Sequence, residues 1–255
     1  SAYDLPAARS NFSLVAYNGF LYAMGGLDAS SSRQSTVYIA KIGANGEPQL
    51  WHPTNSDKTT WTYWYADSGL SSTRSSFGAV AYNNRMYVVG GLTGAGAGTP
   101  VNSTQIANIN PNGTLGSWAS SATLGSNIYG NDAQVYNDRL YVIGGASTIG
   151  GAPSTTVSYN KINGDGSLNG WQTTTPMTSG RMQGGGNFST IWGAYLYVSG
   201  GCSAVNGSGY CTNIRSDTQV ASINADGSID VWNAVGGASD QRMGHSLFAW
   251  RDNIY

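Results

Sequence analysis

The sequence predicts an all-β protein in which similar four-stranded antiparallel sheets repeat around a common axis. Two recurring phrases predict this fold. The first runs from small residues and Tyr through an Asn turn to Tyr, two apolar residues and Gly-Gly. The second is an apolar residue followed by an Asn/Asp-Gly turn and a Trp. No segment has a sustained 3.6-residue period, so we expect almost no helix.

The glycine pair of the first phrase marks four units of similar length. Its copies are Gly25-Gly26, Gly90-Gly91, Gly144-Gly145 and Gly200-Gly201, and a fifth copy of the phrase starts at Ser246 and stops at Tyr255. Successive first glycines are 65, 54 and 56 positions apart. A repeat of this length is typical of a propeller or a solenoid.

Each unit contains four short segments of strand-forming residues separated by turn chemistry. In the second unit the predicted strands are Phe77–Tyr82, Met86–Val89, Thr104–Asn110 and Thr114–Trp118. The Asn112-Gly113 pair between the last two supplies the positive φ that a two-residue hairpin needs. The four strands should therefore form an antiparallel meander.

Recurring aromatic residues should hold neighbouring units together. A lone meander cannot bury both of its faces, but twisted copies stacked around an axis can bury the aromatic side chains of one blade against the next. The predicted inter-blade set consists of Trp51, Trp118, Trp171, Trp232, Tyr22, Tyr87, Tyr141 and Tyr197. The glycine pairs end each second strand, and we interpret them as structural.

These features resemble the kelch repeat, a propeller family with an apolar run into Gly-Gly followed by a Tyr and a Trp. An Arg ahead of the first strand also fits, because Pro176 to Arg181 is similar to the kelch phrase Pro-Met-x-x-x-Arg. The long Asn/Asp-Gly hairpin before each Trp is similar to that of bacterial secreted kelch-like proteins. The third unit departs from the pattern and has Ile128 in place of the Arg. The resemblance implies a kelch-like β-propeller.

We expect one domain over residues 1–255. It should contain blades at about 9–52, 74–118, 128–171 and 181–232, and an incomplete blade at 242–255. A ring that stops inside a blade would leave unpaired strand edges. We therefore expect further blades, or another chain, to complete a larger ring.

Composition narrows the classes of partner and compartment. Only 10% of the residues are charged and the net charge is −1, so the chain lacks the basic surface that nucleic acid or an anionic membrane requires. No apolar run is long enough to span a bilayer. Cys202 and Cys211 share one Gly/Ser/Asn loop, and we expect them to form a disulfide, which would indicate an oxidising compartment.

One face of the predicted propeller should carry the function. The loops between second and third strands vary in length and composition, whereas the hairpins on the opposite face are short and alike. Four arginines belong to the variable-loop face by position: Arg9, Arg74, Arg181 and Arg242. The kelch resemblance implies an acidic-motif or anion site there. The alternative is that each Arg ties down loop carbonyls within its own blade.

Two further features have two interpretations each. The insertion from His52 to Ala66 contains Trp61, Tyr63, Trp64 and Tyr65, which suit either stacking on sugar or protein ligands or extra packing. The Asn/Asp-Gly segments around Asp165 and Asp226 resemble calcium loops weakly, but hairpin turns explain them as well, and we expect no metal site.

The sequence thus predicts a secreted or surface-exposed binding module without catalytic residues or cofactor. It should recognise a glycan or a protein through the variable-loop face. One alternative is a structural subunit of a surface assembly or filament. Another is a sugar-active enzyme, since kelch-like folds include copper-radical oxidases and sugar mutarotases. His52 and His245 are the only histidines, too few for a histidine-rich metal site.

Overall fold

The structure is a computed structural model that describes residues 3–51 and 61–255. Within those ranges the regular elements are β-strands, and no helix occurs. The strands form four successive antiparallel sheets and the start of a fifth. The all-β propeller prediction is therefore confirmed.

Blades 1 and 2 comprise the first eleven strands. In blade 1 these are β1 Ser13–Tyr17, β2 Phe20–Met24, β3 Val37–Ile42, β4 Pro48–Gln49 and β5 Tyr65–Asp67. In blade 2 they are β6 Gly78–Tyr82, β7 Arg85–Val89, β8 Leu92–Thr93, β9 Thr99–Pro100, β10 Thr104–Asn108 and β11 Ala119–Ser121. The sheet of blade 2 has the order β6-β7-β10-β11, and β8 and β9 form a separate hairpin in the loop between β7 and β10.

Blades 3 and 4 repeat this arrangement. Blade 3 contains β12 Asp132–Tyr136, β13 Arg139–Ile143, β14 Val157–Lys161 and β15 Gln172–Thr173. Blade 4 contains β16 Ser189–Trp192, β17 Tyr195–Ser199, β18 Cys202–Val205, β19 Cys211–Ile214, β20 Asp217–Ser222 and β21 Asn233–Gly237. Blade 5 is a hairpin of β22 Ala249–Trp250 and β23 Asn253–Ile254. The innermost strands β1, β6, β12, β16 and β22 contact one another in chain order around the axis.

The outer strand lies further along the chain than the sequence suggests. Thr114–Trp118 was predicted to form it in blade 2, but the structure has the strand at β11, after Trp118. The reason is that the Asn-Gly hairpin closes with a single bridge between Ile109 and Leu115, and the chain pairs with β10 again only at Ala119. Blades 2, 3 and 4 consequently extend to 121, 173 and 237.

The outer strand of blade 1 is split by the insertion. Its first part, β4, pairs with Lys41 and Ile42 of β3, and its second part, β5, pairs with Val37 to Ile39 of the same strand. In blade 2 the outer strand follows Trp118 directly. In blade 1 the insertion separates Trp51 from β5. Trp51 forms an antiparallel bridge with Thr62, which lies near the end of the insertion.

Each glycine pair joins its blade to the next blade. The N–H of the second glycine donates to a carbonyl in the loop that enters the next blade. The four bonds are Gly26 N to Arg74 O at 2.8 Å, Gly91 N to Ile128 O at 2.7 Å, Gly145 N to Arg181 O at 2.6 Å and Gly201 N to Arg242 O at 2.8 Å. Both glycines of each pair have positive φ. A side chain at any of these positions would be strained, and at the first glycine of each pair it would also collide with the neighbouring blade.

The second-strand tyrosines also bond to the next blade. Each is fully buried and donates its hydroxyl to the carbonyl of a turn glycine: Tyr22 to Gly113 at 2.9 Å, Tyr87 to Gly166 at 3.1 Å and Tyr141 to Gly227 at 2.9 Å. The hydrophobic cores lie between consecutive blades around these rings. Tyr197 of blade 4 is half-buried, and its hydroxyl has no hydrogen-bond partner in the part of the chain that is described.

The tryptophans face the preceding blade. Trp171 donates Nε1–H to Ala122 O at 3.0 Å, and Trp232 donates to Thr175 O at 3.1 Å. Trp118 packs against the core between blades 1 and 2. Trp51 instead packs edge-on against Phe20 and Tyr65 of its own blade, with ring centroids 5.4 and 6.1 Å away.

Candidate binding site at the propeller axis

A chain of backbone hydrogen bonds surrounds the axis on the variable-loop face. Ser76 N donates to Asn11 O at 2.9 Å, Gly130 N to Ser76 O at 2.7 Å and Gln183 N to Gly130 O at 2.8 Å. Each of these residues stands two positions after the kelch Arg position of its blade. The loops entering the first strands of blades 1 to 4 are thereby fixed to one another.

A cavity of about 550 Å³ opens at this place. Its apolar wall belongs to a small buried cluster built from three blades, which includes Leu92, Tyr129, Met182 and Cys202. Asn11, Ser76 and Gln183 lie along its polar side. The volume is in the range of cavities that hold small ligands.

Gln183 lies in the buried part of this lining and has an unpaired acceptor. Its side chain is only 3% exposed, and Nε2 donates to His245 O at 2.6 Å. Because that bond fixes the carboxamide, Oε1 is the atom left to accept, and it has no hydrogen-bond partner among the described residues. An unpaired buried acceptor costs about 1–3 kcal/mol, so a ligand that donates a hydrogen bond here would remove the penalty.

Tyr129 is the buried aromatic residue of the cavity lining. It is 6% exposed, and its backbone bridges to Ala146, which holds the ring at the top of blade 3. Burial raises the pKa of the Tyr129 hydroxyl. The phenol is therefore neutral over the physiological pH range.

Arg33 is the charged residue of the cavity wall, and four of its five N–H donors are already used. Nε bonds to Ser75 Oγ at 3.0 Å, and the two terminal nitrogens bond to carbonyls of Gly94, Gly96 and Ala97 at 2.7–3.0 Å. The guanidinium thus orders the glycine-rich loop of blade 2. No Asp, Glu, Lys or His side chain belongs to the described lining. The cavity suits an uncharged ligand.

A disulfide-closed hairpin forms one rim of the cavity. Cys202 and Cys211 are bonded with a Cα–Cα distance of 5.8 Å across β18 and β19, which confirms the predicted disulfide. Tyr210 precedes the second cysteine and is 73% exposed at the rim. The disulfide indicates a non-cytosolic compartment.

Two of the four predicted arginines, Arg74 and Arg181, are buried and therefore inaccessible to a ligand. Arg74 is 2% exposed and donates to Gly90 O at 2.6 Å and Ser103 Oγ at 2.9 Å; burial lowers its pKa to about 10, which leaves it charged at neutral pH. Arg181 is fully buried, donates to Gly200 O at 2.8 Å and pairs with Asp217. Both side chains tie down loop carbonyls within their own blades.

The other two arginines are accessible but lie outside the cavity lining. Arg9 stacks over the Tyr38 ring with its guanidinium carbon 5.3 Å from the centroid. Arg242 is exposed and forms a loose ion pair with Asp240 at 3.4 Å. The structure therefore does not bring the four arginines together as one anion-binding cluster.

The aromatic residues of the insertion are distributed over different contacts; residues 52–60 lie outside the described part. Tyr65 packs on Trp51 in the blade core. Tyr63 packs edge-on against Tyr3 with centroids 5.0 Å apart, and Trp64 Nε1 donates to Tyr3 O at 2.9 Å. Trp61 is 60% exposed.

The Asn/Asp-Gly segments form local turns. Asp165 accepts from Ser167 N and Oγ at 2.9 and 2.7 Å, and Asp226 accepts from Ser228 in the same way. These bonds lower the pKa of both carboxyls. Within the described ranges no group of three His, Cys, Asp or Glu side chains is placed to hold a metal ion.

Comparison with known proteins supports the kelch resemblance and the propeller fold. The model of the kelch motif matches residues 73–106. The solved structure of YjhT aligns with a TM-score of 0.65 over 96% of this chain and 76% of that one, at 14% identity. Residues 73–106 therefore carry a kelch motif, and the chain shares the propeller fold of YjhT. The search among curated proteins found no match.

The residues that build the axial cavity of this propeller were missed by sequence reasoning. Gln183 and Tyr129 stand two and one positions after the Arg position of their blades, so the register of the repeat could have identified them. Arg33 lies in a variable loop with no counterpart in the other units. In residues 3–51 and 61–255 the propeller has no helix that is long and apolar enough to span a membrane.

Proposed function

We propose that this kelch propeller is a non-catalytic extracellular or surface module that binds the end of an uncharged glycan in its axial cavity. The observation that carries the proposal is the unpaired, buried Oε1 of Gln183, which belongs to a cavity lining whose titratable side chains are Arg33, Tyr129 and Tyr210. A concave site of this size favours a small polar group over the broad contact of a folded protein.

The lining favours binding over catalysis. General acid–base catalysis needs a titratable side chain of suitable pKa within reach of the reacting atom. Arg33 is held by four hydrogen bonds, and the pKa of Tyr129 is raised. Hydrogen-bond acceptors and an apolar wall suit a ligand with hydroxyl donors on one edge.

The experiment is a glycan-array screen followed by calorimetry with Gln183→Met. The substitution keeps the side-chain length and removes the acceptor, so we expect at least about a tenfold loss of affinity for the glycan found. Gln219→Met is the matched control, because Gln219 is equally buried and bonds Thr178 N and Ser179 Oγ away from the cavity. Equal losses in both variants, or an array without any ligand, would contradict the proposal.

A second candidate is assembly with other chains, and exposed apolar side chains on the last strands favour it. Val235, Phe248, Trp250 and Tyr255 are each 53–54% exposed, and Phe248 and Tyr255 stack with centroids 5.4 Å apart. Sedimentation should then show a concentration-dependent oligomer that Trp250→Lys dissociates. A monomer at all concentrations would exclude self-assembly.

A further inference from the structure

We propose that Tyr210 is an aromatic platform for a pyranose ring whose hydroxyl edge reaches Gln183, which makes an uncharged pyranoside the ligand. This inference rests on the proposed binding function of the axial cavity and adds the ligand class and a specificity-determining residue. Tyr210 and Gln183 both line that cavity, one at its exposed rim and the other in its buried part.

Tyr210 is distinguished by its position among the variable loops. The corresponding loops of blades 1 to 3, residues 27–35, 92–103 and 146–155, contain no aromatic residue. The loop of blade 4 contains one, Tyr210, with 73% of its surface exposed. Folding stability does not require so large an exposed ring at this place, whereas ligand recognition would.

The hairpin that carries Tyr210 is fixed on both sides. The Cys202–Cys211 disulfide closes its base, and at its tip Asn206 Oδ1 accepts from Ser208 N and Tyr210 N at 3.0 Å each. Asn206 N also donates to Tyr210 O at 2.9 Å. Because the backbone that carries the Tyr210 ring is already fixed, it loses little conformational freedom when a ligand stacks on the ring.

The hairpin also leans on blade 3, which directs it to the axis. Gly207 is packed against Gly150, and the position of Gly209 is within ordinary contact distance of Ile149. Ile149 in turn belongs to the apolar wall with Tyr129 and Met182. The rim and the wall therefore form one continuous surface.

The chemistry of this surface matches a pyranose. An aromatic face attracts the positively polarised C–H groups on the apolar face of the sugar ring, and the buried amide oxygen accepts from a hydroxyl on its edge. Arg33 is the charged side chain of the described lining, and four of its five N–H donors are bound to protein oxygens, which disfavours a bidentate bond to a sialic or uronic carboxylate. An uncharged glucoside, galactoside or N-acetylhexosaminide fits these requirements.

The test is saturation-transfer NMR and calorimetry with a panel of methyl pyranosides and uncharged disaccharides. Tyr210→Ala should weaken binding by about threefold to tenfold, and Tyr210→Phe should change it by less than about twofold because the ring remains. Tyr195→Ala is the control, since Tyr195 is 48% exposed on blade 4 but lies outside the cavity. The double variant Cys202→Ser/Cys211→Ser should lose affinity to a similar extent as Tyr210→Ala.

The outcomes separate this inference from the proposed function. If a pyranoside binds and Gln183→Met weakens it while Tyr210→Ala has no effect, the platform is refuted and the cavity function stands. If only an uncharged peptide binds in a Gln183-dependent way, the sugar class is refuted. If Tyr210→Ala weakens pyranoside binding and Gln183→Met does not, the platform stands and the acceptor role fails. No binding at all would overturn both.

Discussion

Replacing Tyr87 by Phe tests whether the blades are held together by the tyrosine-to-turn hydrogen bond. The Tyr87 hydroxyl is fully buried and donates to Gly166 O of the next blade at 3.1 Å. The substitution leaves that carbonyl without its donor, so we expect a loss of about 1–3 kcal/mol in the free energy of unfolding. Urea unfolding followed by tryptophan fluorescence measures it, with the midpoint shifting at constant slope.

Tyr197→Phe is the matched control for this variant. Tyr197 holds the same repeat position in blade 4, but its hydroxyl has no hydrogen-bond partner among the described residues. We expect its substitution to change the free energy of unfolding by less than about 0.5 kcal/mol. Equal costs for the two variants would refute the reasoning, because the hydroxyl bond could not then be the source.

The same bond predicts an alkaline effect. Burial raises the pKa of Tyr87 from 10.0 to about 12. A group whose pKa is higher in the folded state stabilises the protein below its unfolded pKa, and this stability is lost as the pH rises from 10 towards 12. Above pH 10, the free energy of unfolding of Tyr87→Phe should therefore fall less steeply with pH than that of the wild-type chain.

The remaining predictions concern a glycine pair and a buried carboxyl. Gly91→Ala should destabilise the propeller by about 2–4 kcal/mol, because φ is +97° and the new Cβ would lie 2.7 Å from Ser75 O. Gly94→Ala should cost only about 1–2 kcal/mol, since Gly94 has the strained φ but open space, and equal melting shifts would contradict the packing argument. Burial raises the pKa of Asp132 from 3.8 to about 6 against hydrogen bonds from Ser189 and Ala133. Its protonation should stabilise the fold by up to about 3 kcal/mol as the pH falls from 7 to 4. Asp132→Asn should remove this gain in stability between pH 7 and pH 4. If the variant kept the wild-type dependence of stability on pH, the assignment to Asp132 would be contradicted.

The repeat made most of the fold predictable, and the exceptions have local causes. The recurring Tyr, Trp and Gly-Gly positions predicted blades and their contacts, because each must bury the same face against the same neighbour. The outer strands were predicted too early in the chain, because the sequence does not show that strand pairing is interrupted between the hairpin turn and Trp118. The actual strand resumes only where Ala119 meets Ile106.

The candidate site was less predictable because it depends on which donors are already used. The sequence allows Arg74 and Arg181 either to bind an anion or to tie down loop carbonyls, and only the structure shows that carbonyls of their own blades accept from these buried side chains. Gln183 carries no motif, and its importance arises from the His245 carbonyl that fixes its amide and leaves Oε1 unpaired. Such a balance of donors and acceptors between distant loops cannot be read from one segment.

A crystal structure of the protein with the tightest-binding uncharged glycan tests the central claim most directly. The account predicts a sugar hydroxyl within hydrogen-bonding distance of Gln183 Oε1 and the sugar inside the axial cavity. A glycan bound elsewhere, for example on the exposed Trp61, with Gln183 untouched, would contradict it.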